Sequence, residues 1–449
     1  MGRSEVCSEA GGLRLLSEHA ATCMSDDTTK AVRFIWIDNN GIARAKAVTR
    51  AHLADRLTEG VGVAVCRQAA NLLDRVQPLP GYGEIGEVRT IPDPSTFFRL
   101  PHAPGAAGML CDLLDSQGRP WDACPRSFLK RMVARADELD LSILGAFEPE
   151  FSLCRLPLEP GRFRPADDSL CFDMKGFDDT HAFAMALIEA LSKAGLEPEI
   201  FHPEFSAGQH EFTFAATPAL RSADEFAIYR TIVRGLAESF GFWATFAAAP
   251  SPDVRGNGCH LHLSAWRNGE NLFADGGGGP LSPLGMSFLA GLLDHAAGLV
   301  AVTCPGVNSY ARLRPGAWAG ARLRSGVDDR EAVVRIPGRP AGTPPGRANI
   351  EFRACDGTVN PYLALGCVLA AGLDGVRRSA SPADSPNRSA PDLPSDLSAA
   401  LDALEADSLL MDSLGPELAK TYVAVKRSDI ADLSELNREQ VENLYIRRF

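Results

Sequence analysis

Four short segments place acids and imidazoles at strand-like spacing: "AFEPEF", "FHPEFSAGQHEF", "CHLHLS" and "NIEFRA". A strand sends alternate side chains to opposite faces. Glu148 with Glu150, His260 with His262, and Glu351 with Arg353 therefore each share a face. Glu204 and Glu211 flank a glycine-containing turn that returns both acids to one neighbourhood. Burying so many carboxylates is unfavourable unless cations or metals compensate them. Oxygen donors with a minority of imidazole suit magnesium or manganese, and the lack of paired cysteines disfavours zinc. Magnesium binds through a few carboxylates together with substrate phosphates, so the pattern points to phosphate chemistry.

The cationic half follows later in the chain. "NSYARLRPGAW" carries Arg312 and Arg314, "DDREAVVRIPG" carries Arg330 and Arg335, and "NIEFRACDG" adds Arg353. Arginine stays charged and grips carboxylate or phosphate through a planar fork. Beside strand-borne acids, these arginines imply an anion site.

The elements that must position these residues are a mixture of strands and helices. Residues 31–49 read as two β-rich runs around an Asn-Gly turn, a hairpin signal. The prolines of "IPDPSTFF" suggest a boundary near residues 93–105. "CPRSFLKRMVARADELD" has Pro125 at a first helical turn; "SADEFAIYRTIVRGLAESFG" offers Ser222 and Glu225 as a capping box, with Gly241 as the stop. Four further segments, among them "SDLSAALDALEADSLLMDSLG", carry apolar residues at three- and four-residue spacing and read as amphipathic helices. Without regular strand–helix alternation, the class is α+β. "ADGGGGPLSP", "PGRPAGTPPGR" and "SASPADSPNRSAPDLP" read as surface loops, with a lid the alternative for the first two.

Composition narrows the partners. A net charge of −12 over 449 residues, without a dense Lys/Arg run, argues against nucleic acid or an anionic membrane. Eleven scattered cysteines with no C-x-x-C pair fit a reducing cytoplasm. The start "MGRSEV" has Val where a myristoylation pattern needs Ser or Thr. No signal-type apolar core is evident, and no later stretch is expected to span a bilayer.

With "PDPSTF", "EPEF", "HPEF…GQHE", "GNGCHLHLS", "NSYARLRPG", "DDREAVVRIP" and "NIEFRACDGTVNPYLALGCVLAAGLDG" in this order, the chain resembles the glutamine synthetase superfamily. The resemblance implies an N-terminal extension (1–25), a small β-grasp-like domain (26–104), and a large catalytic domain (105–449) on a curved antiparallel sheet. It implies stacked homo-oligomeric rings in which a neighbour's N-terminal domain completes each active site. It further implies one metal on Glu150, Glu204 and Glu211, and another on Glu148, His260 and Glu351. Gly256, Gly258, Arg312 and Arg353 would receive glutamate; His262, Ser264, Arg330 and Arg335 would contact ATP. Arg312, Arg330 and Arg353 would serve the reaction, with two or more Mg2+ or Mn2+ ions per subunit.

Two departures bear on the substrate. Glutamine synthetases carry a glutamate in a "PG-Tyr-Glu-Ala-Pro"-like stretch, where this chain has "PGAWAG" and Trp318. Their "Phe-Asp-Gly-Ser-Ser" segment, whose aspartate helps bind ammonium, has no clear match in "VAVCRQAANLLDRVQP". An indole suits the alkyl, aryl or cationic part of an organic amine. The expected reaction is ATP-dependent joining of glutamate to such an amine. The alternatives are ammonium as substrate, with Asp74 or Asp329 supplying the acid, and a non-catalytic metal- or nucleotide-binding homologue. "SASPADSPNRSAPD" stands where some bacterial relatives carry a regulatory tyrosine, and has none.

Overall fold

A computed structural model describes residues 28–159, 163–252, 254–276, 279–340, 342–384 and 392–449. The β-branched and aromatic runs form two sheets. The first contains β1 (Ala31–Ile37), β2 (Ala43–Thr49), β3 (Val61–Ala64), β4 (Glu87–Pro92), β5 (Phe98–Arg99) and β6 (Ala106–Leu114). Its order is β2-β1-β6-β4-β3, with β5 on β6 and with β1 and β6 parallel. The sheet therefore runs past residue 104, the end expected from the prolines, because β6 pairs back onto β1.

The hairpin forms as expected, in the register Ala31↔Thr49 to Ile37↔Ala43. Its turn is buried rather than solvated. The Asp38 carboxylate accepts from the Asn40 and Ile42 amides, and Asn40 Oδ1 accepts from Lys426 Nζ at 2.7 Å. Asn39 donates to Thr421, so the turn is docked on the helix Pro416–Ser434.

The second sheet holds β7 (Ser142–Arg155), β8 (Pro198–Pro203), β9 (Gln209–Phe214), β10 (Thr217–Pro218), β11 (Phe242–Thr245), β12 (Cys259–Arg267), β13 (Glu270–Asn271), β14 (Arg322–Val327), β15 (Ala332–Ile336) and β16 (Ile350–Phe352). Its main order is β14-β15-β16-β12-β7-β9-β8, antiparallel throughout except for the parallel pair β14–β15. Helices cover one face, so the class is α+β as read from the sequence.

Two helix readings change. The helix Ala219–Glu238 starts after Pro218, three residues ahead of Ser222. Glu225 consequently lies within it, held by Arg221 Nε at 2.8 Å and Thr217 Oγ1 at 2.9 Å, and there is no capping box. The segment "SDLSAALDALEADSLLMDSLG" divides into Leu397–Ala406 and Ser408–Leu414, because the Asp407 side chain caps the second helix at the Leu410 amide.

The helix Pro283–Thr303 is long and apolar enough to cross a membrane, contrary to expectation, yet 72% of its most apolar window is buried inside the protein. It lies against Pro361–Arg378, where a Cβ on Gly291 would collide with the Ala371 carbonyl. Backbone-to-backbone packing in the core accounts for its composition. Arg126 ties the first sheet to the helix Ala219–Glu238, pairing with Asp93 (2.8 Å), Asp112 (3.1 Å) and Asp224 (2.8 Å).

Candidate active site

Strand register assembles the site. β12 runs beside β7 with His260 opposite Glu148, and beside β16 with His262 opposite Glu351. Glu150 is opposite Glu211, which is in turn opposite His202, while Arg335 is opposite Glu351. Directly opposed residues are close enough for their side chains to interact, so one pleated surface collects acids and imidazoles from five strands.

Glu148, His260 and Glu351 come together as expected, with ligand-type atoms within 4.8 Å of one another. Glu148 Oε2 lies 3.1 Å from His260 Nδ1 and 3.3 Å from His262 Nε2. The expected set of Glu150, Glu204 and Glu211 falls into two overlapping groups, Glu150/Glu211/His260 and His202/Glu204/Glu211. His202 was absent from the sequence reading. Its Nε2 lies 3.3 Å from Glu211 Oε1, and its Nδ1, without a hydrogen-bond partner among the described residues, lies 3.7 Å from Glu204 Oε1. The i,i+2 spacing of His202 and Glu204 in "FHPEF" was the available signal.

Electrostatics describe acids crowded without enough positive charge. Burial raises Glu211, and repulsion from Glu148, Glu150 and Glu204 carries it well above the usual carboxylate range. Glu204 is raised to about 7 by burial and then by Glu150. Burial also raises Glu148, but hydrogen bonds from His260 and His262 outweigh it and hold the group well below the usual range. His260 falls to about 4 through burial and the nearby Arg353, leaving a neutral ring able to ligate. Oxygen-rich donors, neutral imidazole and mutually repelling carboxylates fit hard divalent ions.

Gly258 makes room for this arrangement. Its amide donates to Glu150 Oε2 at 2.9 Å, and a Cβ there would lie 2.8 Å from Glu150 Oε1 and 3.1 Å from His260 Nε2. Gln209, also absent from the sequence reading, holds the same Glu150 oxygen at 2.6 Å and the Gly256 carbonyl at 2.8 Å. Gly256 has φ +87 and backs onto the Ala248 carbonyl.

Arginines close the surface. Arg335 donates to Glu351 Oε2 at 2.8 Å, and Arg353 bonds the other oxygen. Arg353 also donates to the Trp318 carbonyl at 2.9 Å. Arg312 is buried, 3.5 Å from His260 Nε2. Arg330 is exposed at the edge of the same cavity, about 560 Å3, which Trp318 also lines. Arg314 is exposed and does not line it.

A second cavity of about 240 Å3 lies across Glu148, which lines both. His262 and Ser264 line this second space with Asn349 and Arg347, away from Arg330 and Arg335. His262 Nδ1 lies 2.9 Å from Asn349 Oδ1; burial lowers His262, but Glu148 more than reverses this, to about 9. Gly346 and Arg347 place the end of "PGRPAGTPPGR" at this cavity. Of the two acids considered for ammonium, Asp74 is paired with Arg67 and Arg44, and Asp329 with Arg324; neither lines the first cavity. Residues 385–391, half of "SASPADSPNRSAPD", lie outside the described residues.

The glutamine synthetase catalytic-domain model matches residues 122–445, and the glutamine synthetase N-terminal-domain model matches residues 10–121. The chain belongs to the glutamine synthetase family. Glutamine synthetase of Methanocaldococcus jannaschii is 37% identical over 76% of this chain and 79% of its own length. The gamma-glutamylpolyamine synthetase GlnA3 of Streptomyces coelicolor is 34% identical over 95% of this chain and 96% of its own. Among solved structures, a GmaS complex with ADP superimposes with a TM-score of 0.82 at 32% identity, covering 94% of this chain and 98% of the other. Glutamine synthetase family members are ATP-dependent ligases that use divalent metals, and this chain is such a ligase.

Proposed function

We propose that this ligase joins the γ-carboxyl of glutamate to an organic amine, giving a γ-glutamylamide. The observation that carries the reading is Trp318, an indole on the first cavity in a stretch where glutamine synthetases have a glutamate. An indole offers dispersion and a π face to an alkyl- or arylammonium, whereas ammonium capture favours an acid.

The reaction divides into two displacements. The γ-carboxylate oxygen attacks the terminal phosphorus of ATP, and the bond to the bridging oxygen breaks with its electrons going to ADP. The amine nitrogen, having lost its extra proton, then attacks the acyl carbon. The C–O bond to phosphate breaks, phosphate leaves with the electron pair, and the nitrogen loses a second proton. Arg312 and Arg353 suit the glutamate side, while Arg330 and Arg335 suit the transferring phosphoryl group. Fixed cations stabilise accumulating negative charge without reorganising. Glu148, His260 and Glu351, and the carboxylates of Glu150, Glu204 and Glu211, would hold Mg2+ or Mn2+, which when bound neutralises phosphate charge. His262 and Ser264, which line the second cavity, suit the nucleoside end of ATP.

The ring assembly and the cytoplasmic setting belong to the same proposal. All nine described cysteines are unpaired, as a reducing compartment requires.

The test is phosphate release with ATP, glutamate and ammonium, methylamine, ethanolamine, isopropylamine, putrescine or aniline. Organic amines should exceed ammonium in kcat/KM, and Trp318→Glu should shift preference towards ammonium. Glu150→Ala should abolish turnover with every amine. Ammonium far above all organic amines would instead support glutamine synthesis, the activity in the name of the Methanocaldococcus relative.

A further inference from the structure

The first cavity opens through an aromatic rim that the metal-type cluster does not require. Phe172, Phe205 and Trp318 all line it, and they are 61%, 45% and 57% exposed. They come from three separate segments: the loop before the helix Met174–Lys193, the turn between β8 and β9, and the loop before β14. Phe205 and Trp318 meet edge to face, with centroids 6.2 Å apart at 71°. Phe172 stands edge-on to His202 at 4.9 Å and 86°.

Two of these rings sit on backbone that L residues avoid. Phe172 and Trp318 both have φ +59. Such conformations persist where their surroundings over-determine them, and they cluster at ligand sites. At Trp318 the surroundings are specific: its amide donates to Glu331 at 2.7 Å, and its carbonyl accepts from Arg353. The rim indole is thus anchored by an arginine that also grips Glu351 in the floor.

The charge at the mouth has one sign. Arg255, 4.6 Å from the Phe205 centroid, and Arg330 are the exposed charged residues among the described lining. The lining carboxylates are those of the metal-type cluster, and Glu331 is occupied by the Gly316 and Trp318 amides. A second ammonium reaching the rim would meet Arg255 and Arg330, the exposed charges among the described lining residues.

Building on the γ-glutamylamide reading, we propose that the amine is a monoamine with an aryl or similarly large apolar tail. The tail lies among Phe172, Phe205 and Trp318, while Arg255 and Arg330 disfavour diamines and polyamines. The selectivity thus differs from that in the name of the Streptomyces relative.

The experiment compares kcat/KM for ammonium, ethylamine, phenethylamine and putrescine, with the γ-glutamyl product identified by mass. Phenethylamine should exceed ethylamine and putrescine by about 10-fold, the order of one good ring contact. Trp318→Ala should lower the phenethylamine value about 10-fold more than the ethylamine value, through KM. Phe172→Ala, on a separate segment, should do the same, and Trp318→Phe should retain most of the preference. Ethylamine accepted above ammonium, but phenethylamine no better than ethylamine, would overturn the tail site and leave the amide reading standing. Putrescine equal to phenethylamine, or equal losses for both amines in the alanine variants, would also overturn it. Ammonium above every amine would remove the amide reading and this proposal together.

Discussion

Replacing Gly258 with alanine should cripple the enzyme without unfolding it. The added Cβ would lie 2.8 Å from Glu150 Oε1, about 0.6 Å inside ordinary contact at 3.4 Å, and nearer still to the Arg312 guanidinium. Glu150 cannot readily retreat, because the Gly258 amide and Gln209 hold its other oxygen at 2.9 and 2.6 Å. Hydrogen bonds to a charged group contribute about 1.5–3 kcal/mol each. The burden falls on Arg312, whose bonds are a 3.2 Å contact to the Cys355 carbonyl and the long approach to His260. A shift on the order of 1 Å in a group that positions substrate costs ~100-fold in rate, or about 2.7 kcal/mol of transition-state stabilisation. Steady-state kcat/KM for glutamate-dependent phosphate release measures it, with the thermal midpoint as the folding control. Gly83→Ala, where nothing lies within 4 Å of the new Cβ, should be silent. A Gly258→Ala enzyme within about threefold of wild type would refute the reasoning.

Two further outcomes follow from buried charge. Because the folded pKa of Glu204 is raised to about 7, the folded state holds this proton more tightly than the unfolded state. Its contribution to metal-free stability therefore falls as pH rises from the ordinary carboxylate range through about 7. Glu204→Gln should remove that part of the fall in thermal midpoint between pH 5 and pH 8, and saturating Mn2+ should offset the fall in the wild type; identical pH profiles without metal would count against it. Arg126→Ala should destabilise by roughly 3–5 kcal/mol in denaturant titrations, since it strands Asp224 without its buried partner. A loss below about 1 kcal/mol would mean that the ion cluster does not hold the first sheet to the helix Ala219–Glu238.

Much of the site was legible because strand alternation is local. Glu148 with Glu150 in "FEPEF" and His260 with His262 in "CHLHLS" needed only the period of two. Cross-strand register is not local: nothing within "NIEF" announces that Glu351 stands opposite His262, or within "GQHE" that Glu211 stands opposite His202. His202 went unread because its partner acids arrive partly from another strand, and Gln209 because an uncharged amide leaves no mark in a charge pattern. The same limit applies to the fold. Asn-Gly announced a turn, but its burial comes from distant partners, among them Gln68, Arg230, Asn360 and the helix Pro416–Ser434.

That docking has a consequence for the order in which the molecule is made. The Asn40 amide group, in the first hairpin to leave the ribosome among the described elements, waits for the Lys426 ammonium synthesised 386 residues later. At ordinary elongation rates the interval is roughly 20 to 80 s. The hairpin's strands can pair within microseconds, yet its turn lacks the Thr421 and Lys426 contacts until the end of translation. Early pairing and late sealing make the hairpin a nascent-chain intermediate whose final lock is supplied by the last helices to emerge.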